Sequence, residues 1–349
     1  MKRKLWYLAV LAAFLVLLGT AANAGEKWRL ATHGIVGTTD YRLCEVFRDT
    51  VNKLARGELE IELYGAGVLF PTFETFDNVA NGVVEMGAAG SVYWTGKDPA
   101  FGLTSRPACP LNSFAEASYF EEKIEWFIEK LYAKHGITYL GILQVAPINE
   151  QLLSVVPITS VEDVKGKKIR SSGIGAQFYS ALGATTVSVS APELYAAFQT
   201  RNIDAAEWKS WDDNLRLGYN EVVTYVLEPA LHNSAYGSMP LFVNPAKWEK
   251  LPQHLKNIVI AARDCTRHAA ALTYIDEMVA RQKWVNDPKI QIVRWSPEDE
   301  KKAREVGLRL IMEECGKTED GGKYLEIYRD TLWELGYRDE AVFLGYKPK

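Results

Sequence analysis

Arg170 is the residue whose type and position point most directly to chemistry. It lies in the stretch Lys168 to Ser171, which reads as a short strand. A guanidinium at a strand end can fork onto a carboxylate through two parallel hydrogen bonds, a geometry that lysine cannot reproduce. The plainer alternative is a surface ion pair with Asp163 or Glu162. Aromatic residues suit the same task. Tyr93 brings a hydroxyl donor, while Trp94 and Trp208 bring ring surface that keeps water off a bound anion, unless Tyr93 and Trp94 are simply core at a strand end. Glu207, beside Trp208, would repel a carboxylate ligand unless a cation or a hydrogen-bond donor stands between them; its plain reading is a solvated residue at a cleft rim. Arg106 and Arg201 read as ordinary surface charges.

No reaction set accompanies these groups. His33, His135, His232, His254 and His268 stand singly, with no HExxH among them, and no serine sits in a GxSxG turn. Cys44, Cys109, Cys265 and Cys315 have neither CxxC nor Cys/His zinc spacing. The pattern suits binding rather than turnover, so no enzyme is expected. If a disulfide forms, Cys265 with Cys315 is the pair to test, both lying in late helical patterns; buried unpaired thiols are the alternative.

The compartment is written at the N-terminus. Met1-Lys2-Arg3-Lys4, the apolar run Leu5 to Leu18 and the small-residue site Ala22-Asn23-Ala24 follow the order of a secretory signal peptide. The run is shorter than the roughly 20 residues that span a bilayer. Cleavage after Ala24 is therefore expected, with residues 25 onward working in the periplasm. It removes three positive charges, Lys2, Arg3 and Lys4, from a chain of formal net charge −4, leaving −7. That sign disfavours nucleic acid and anionic membrane surfaces as partners.

The elements that must position these residues follow an α/β rhythm. A chain of 349 residues, 48% hydrophobic, argues for two domains, since single cores stop growing at around 250 to 300 residues. Strands are expected at 27–32, 59–64, 84–89 and 138–144, with helices at 41–55, up to 81 and at 116–134. A second unit repeats the layout with strands at 168–171, 185–189 and 205–208 and helices at 176–182 and 191–200. Strands at 238–243 and 291–295 and an unusually long helical pattern over 252–284 follow, then a helical tail to about 335. No low-complexity linker separates the units, so short hinges and a cleft between two lobes are expected.

Several segments also carry a resemblance. Gly65-Ala66-Gly67 followed by Glu74 and by Gly82-Val83-Val84-Glu85-Met86-Gly87 resembles the first-lobe signature of the DctP-type substrate-binding proteins of TRAP transporters, which drive uptake with an ion gradient. Asp163-Val164-Lys165-Gly166-Lys167-Lys168-Ile169-Arg170 is similar to that family's DLKGLKxR segment. Leu182-Gly183-Ala184-Thr185, with Glu193-Leu194-Tyr195-Ala196-Ala197-Phe198-Gln199-Thr200, is similar to its LGAxP and ExYxALQxG blocks. The match runs from about Lys27 to near Trp284. The segments 93–101 and 203–208, with Asp212-Asp213-Asn214-Leu215, are similar to the branch that binds 2-oxo acids such as pyruvate, and lactate.

The resemblance implies a two-lobed periplasmic binding protein fold, type II-like, with a long helix crossing both lobes. Lobe I would comprise 25–146 plus about 238–284, and lobe II 147–237 plus about 285–349. It implies a receptor that captures a small monocarboxylate by hinge closure and delivers it to TRAP membrane subunits, as a monomer or a homodimer. Arg170 becomes the carboxylate clamp. Glu207 and Trp208 become the positions that hold a sodium or calcium ion bridging the ligand carboxylate, with Asn149, or Gln151 if the alignment slips, where the branch carries a glutamine. Where the branch has a further acidic residue this chain has His232-Asn233-Ser234, so Asn149, Asn233 and Ser234 are the alternative hydrogen-bonding partners of the ligand. A larger or aromatic carboxylate, a binding protein of an ATP-driven transporter, and an enzyme acting on a small carboxylate are the rival readings.

Overall fold

The computed structural model describes residues 25–104, 110–111, 113–145, 150–231 and 238–347. Numbered along the chain, the first lobe comprises β1 (Glu26–Thr32), α1 (Thr39–Ala55), β2 (Leu59–Tyr64), α2 (Thr75–Ala80), β3 (Met86–Ala88), α3 (Phe114–Lys134) and β4 (Thr138–Val145). The second comprises β5 (Gln151–Ser154), β6 (Lys168–Arg170), α4 (Gly173–Ala181), β7 (Thr185–Val187), α5 (Leu194–Gln199), β8 (Ala205–Trp208), α6 (Trp211–Arg216) and β9 (Tyr225–Leu227). The chain then runs through β10 (Ser238–Val243), α7 (Pro245–Lys250), α8 (Gln253–Leu272), α9 (Tyr274–Asn286), β11 (Gln291–Val293), α10 (Pro297–Lys317), α11 (Gly321–Glu334) and α12 (Arg338–Phe343).

Among the described residues there are two sheets, one per lobe. The first has the order β2-β1-β3-β10-β4, with β10 antiparallel to both neighbours; the second has the order β11-β9-β5-β8-β6-β7, with β5 antiparallel between β9 and β8. Each sheet buries apolar residues on both faces. Leu30, Phe47 and Val259 share a core on one side of the first sheet, and Phe76, Trp94 and Phe242 belong to the core on the other. Such two-faced burial is what α/β layering requires. Gly87 shows how tightly the first sheet is packed: a Cβ there would lie 2.4 Å from the Phe242 ring.

The long helical pattern over 252–284 is two helices in succession, α8 and α9, interrupted at Thr273. Both the backbone N–H and the hydroxyl of Thr273 donate to the Ala270 carbonyl, which tightens the last turn of α8. Leu255, Val259 and Ala262 of α8 are buried in lobe I, whereas Ala280 and Trp284 of α9 join a lobe II core. The helical line therefore does cross both lobes.

The tail departs from the expected division. β11 joins the lobe II sheet, but Leu308, Ile311, Tyr324, Tyr328 and Leu332 from α10 and α11 pack into the lobe I core with Phe120 and Phe127 of α3. The helical tail thus contributes to the lobe I core. Helix α10 leans on both lobes, since Ala303 belongs to a lobe II core. Cys44, Cys265 and Cys315 are free thiols, so the Cys265 to Cys315 bridge is not formed; Cys44 and Cys315 are buried and Cys265 is exposed.

Candidate functional site

Strand β6 delivers Arg170. Its parallel neighbours place Arg170 opposite Val187 on β7 and Ala206 on β8, and its side chain lines a cavity shared with lobe I residues. The guanidinium is 2% exposed. Its Nε donates to the Val189 carbonyl and its Nη1 to the Glu207 carbonyl, each at 2.9 Å, and Nη1 lies 3.0 Å from Glu207 Oε1. The Trp208 ring stands 5.2 Å from the guanidinium carbon. Burial alone would lower the arginine pKa, but Glu207 outweighs it, so the charge is held firmly. A surface pair with Asp163 is ruled out: that carboxylate accepts the Thr159 and Ser160 backbone N–H groups instead.

The cavity in front of Arg170 lies between the lobes. Lobe II contributes Arg170, Ser172, Glu207, Trp208, Lys209 and Glu150, and lobe I contributes His33, Asp40, Tyr93 and Gln144, among others. Its volume is about 80 Å³, against the ~10–15 Å³ that one water needs on the same measure, which is the space of about six heavy atoms. Helix α4 begins at this cavity with Ser172 as its N-cap residue. Its unpaired first N–H groups and its dipole favour an anion there. Gly173 makes the approach feasible: its φ is +54°, and a Cβ would lie 2.3 Å from Val92 of lobe I.

Tyr93 and Trp94 are adjacent in a 3-10 turn, where successive side chains splay about 120° apart. Tyr93 consequently lines the cavity, held edge-on by Phe73 at 5.0 Å and His33 at 5.8 Å. Trp94 cannot do the same. Its indole packs into the lobe I core against Phe76, Phe242 and Phe101, and its Nε1 donates to the Phe73 carbonyl at 3.3 Å, which removes it from the proposed wall. Trp208 does line the cavity, and its Nε1 is buried with no partner among the described residues. Asn149, Asn233, Ser234 and His232 lie outside the described residues. Gln151 accepts from Asn214 Nδ2 at 3.3 Å and does not line the cavity.

Among the cavity residues that escaped the sequence reading are His33, Asp40 and Lys209. Gly90 N–H donates to His33 Nδ1 at 3.1 Å, so the ring carries its proton on Nε2, which faces Asp40 Oδ2. Burial lowers the His33 pKa despite Asp40, which keeps the ring neutral. Lys209 Nζ, from the other lobe, forms an ion pair with the same Asp40 oxygen. Burial would raise the Asp40 pKa, yet Lys209 and His33 hold it well below the usual carboxylate range. Burial likewise opposes the Lys209 charge, but Asp40 and Glu150 outweigh it and raise its pKa. Two more contacts join the same segments: Thr39 N–H donates to Asp213 Oδ1 at 2.6 Å, and Arg42 Nη2 to Asp212 Oδ2 at 2.9 Å. The first turn of α1 is thus clasped by residues 209–213 of lobe II. No local pattern announced them, because Lys209 leaves the strand with φ of +30° and its partners His33 and Asp40 lie in the opposite lobe.

The described lining carries two cations, Arg170 and Lys209, and three carboxylates, Asp40, Glu150 and Glu207. Among the described residues no group of three or more His, Cys, Asp or Glu is placed to hold an ion. The Glu207 carboxylate faces Arg170, the Trp208 carbonyl accepts from Asn214 Nδ2 at 2.8 Å, and the Lys209 ammonium lines the same space.

Comparison with known proteins gives the family. The family model for bacterial extracellular solute-binding protein, family 7, named DctP, matches residues 34–315. The chain belongs to the DctP family. Its members are solute-binding proteins of TRAP transporters rather than enzymes, in keeping with the missing reaction set. A relative from Nostoc, the monocarboxylate 2-oxoacid-binding periplasmic protein all3028, is 27% identical over 245 residues, covering 66% of this chain and 64% of its own length. A TRAP solute-binding protein from Pseudoalteromonas atlantica, solved with bound sodium and pyruvate, superposes with a TM-score of 0.81 at 22% identity over 93% of this chain and all of that one. An apo open structure from Rhodobacter sphaeroides, 26% identical, gives a TM-score of 0.65 over 89% of this chain and 99% of that one.

Proposed function

We propose that this chain is the periplasmic receptor of a TRAP transporter for a small monocarboxylate of the 2-oxo acid type, pyruvate being the test ligand and lactate its hydroxy counterpart. The observation that carries the reading is Arg170: a charged guanidinium, 2% exposed, faces an inter-lobe cavity of about 80 Å³. A buried cation aimed at a space of that size is matched by a small organic anion. Support also comes from the 2-oxoacid-binding Nostoc relative and the pyruvate-bound Pseudoalteromonas structure. A larger or aromatic acid is the weaker reading, because Trp94 and Trp211 are packed into cores and Trp208 alone of the three lines the cavity.

In operation the ligand meets lobe II at Arg170, and its charge favours the closed arrangement in which Tyr93, His33 and Asp40 of lobe I approach. Residues 1–24 direct export, and the closed receptor docks on the transporter's membrane subunits. Isothermal titration with pyruvate, lactate and a larger 2-oxo acid tests the reading. Arg170→Lys loses a charge-assisted hydrogen bond from the guanidinium to the ligand, worth about 1.5–3 kcal/mol, or roughly 10- to 150-fold in Kd. Wild-type affinity in that variant removes Arg170 from the site. Small-angle scattering that shows no compaction on saturation with the ligand removes the closure step.

A further inference from the structure

We propose that Lys209 is a second ligand-binding cation of this cavity, one that contacts the 2-oxo or 2-hydroxy oxygen of the bound acid and lets the receptor hold it without a metal ion. The inference rests on the receptor reading above and specifies how its site tells a 2-oxo acid from a simple carboxylate.

Placement is the first argument. Lys209 follows β8 with φ of +30°, a backbone conformation that L-residues with long side chains rarely adopt and that persists only where surrounding contacts enforce it. The consequence is a side chain turned into the inter-lobe cavity, only 22% exposed, with Nζ on Asp40 of the opposite lobe. Asp40 is itself 1% exposed and also holds His33 Nε2, so it fixes the ammonium from one side and leaves its remaining hydrogens for another acceptor.

Charge is the second. The Arg170 guanidinium and the Lys209 ammonium lie 5.2 and 5.9 Å from the same Trp208 ring centroid, and both line the cavity. An acid of about six heavy atoms reaches both, its carboxylate on Arg170 and the oxygen of the adjacent carbon on Lys209. A metal ion in the same space would have to compete with Lys209 for Asp40 and stand close to both cations. It would also compete with Arg170 for the Glu207 carboxylate.

Coupling is the third. Lys209 belongs to lobe II and Asp40 to lobe I, so their ion pair exists only with the lobes together. A ligand oxygen that orients the ammonium therefore favours the closed state directly, giving occupancy a contact through which to act.

The test is titration calorimetry of pyruvate and of propionate, which lacks the second oxygen, into protein dialysed against chelator in sodium-free buffer, with sodium or calcium then restored. The expected result is that metal-stripped wild-type protein binds pyruvate within twofold of the restored protein and at least tenfold more tightly than propionate. Lys209→Met, and the double variant Asp40→Asn/Lys209→Met that leaves no lone buried charge, lose that preference while propionate affinity changes less than threefold; Lys209→Arg retains it. Binding that appears only on adding sodium or calcium, or a Lys209→Met protein with wild-type preference, overturns the assignment while the receptor reading stands. Wild-type protein that takes up neither acid in any buffer overturns both.

Discussion

Asp213 offers a direct test of how the lobes are held. Thr38, the N-cap residue of α1, makes no side-chain cap, and the acceptor for the first-turn N–H of Thr39 arrives from the other lobe as Asp213 Oδ1. Burial, and then the negative charge of Asp40, push the Asp213 pKa up to about 6 from 3.8, against the pull of Thr39 and Lys209. Because the folded value exceeds the unfolded one, the folded protein binds this proton more tightly. Below about pH 3.8 both states are protonated and the group has no effect; between 3.8 and 6 stability falls as pH rises; above 6 the full penalty applies. That interval corresponds to about 3 kcal/mol. Asp213→Asn cannot ionise, keeps an oxygen for Thr39 N–H and gives up the stronger acceptance of a carboxylate, a loss of about 1 kcal/mol. The variant is therefore expected to be more stable than wild type by about 1–2 kcal/mol at pH 8, with the gap closing or reversing by pH 4. Urea denaturation at matched ionic strength across that range measures it. A stability difference that stays constant with pH would refute the reasoning, since only titration makes it vary.

Two further expectations come from buried groups. Glu277 on α9 accepts from the Ser210 hydroxyl and from Asp212 N–H at 3.0 Å, yet burial pushes its pKa up to about 7 from 4.5. Glu277→Gln, whose amide can donate to Ser210 while accepting from Asp212, should gain stability over wild type above pH 7 and lose the advantage below about 4.5; an equal difference at pH 4 and 8 would count against it. For the cysteines, burial pushes the Cys44 and Cys315 thiols up to about 12. Of the three described thiols, Cys265 alone should react with a thiol reagent in native protein at pH 8, and peptide mapping that finds Cys44 or Cys315 modified at a similar rate would show those cores to be open.

How much of this could be read in advance depended on whether one element or two fixed a side chain's surroundings. Arg170, Glu207 and Trp208 lie at the ends of adjacent parallel strands, where register brings them together; each was singled out in the sequence, but by motif and resemblance, and the pairing of Arg170 with Glu207 was not foreseen. β5 and β9 were missed altogether. Gln151–Ser154 is buried on both faces and so lacks the alternation that announces a strand, and β9 is only three residues long. Trp94 was misplaced because its 3-10 turn sends neighbouring side chains in different directions, whereas the strand was expected to end at 89 and nothing in the sequence marked that turn.

The clasp between α1 and residues 209–213 was hidden by a deeper cause. Asp40 in a first helical turn has a sufficient local explanation in the helix dipole, and Lys209 after a strand has one in solvation. Each residue looks complete alone. Their real partners are in the opposite lobe and exist only because two cores of separate sequence origin come together, so no window of sequence contains the interaction. If ligand capture works through closure, these contacts must be the ones that change with occupancy, and a site whose selectivity depends on them will be under-read wherever the analysis of a sequence stops at motifs. On the proposed reading the motif residues Arg170 and Glu207 would supply the charge that any carboxylate meets, whereas Lys209 and Asp40 pair across the lobes, and discrimination among small acids would belong with that second pair.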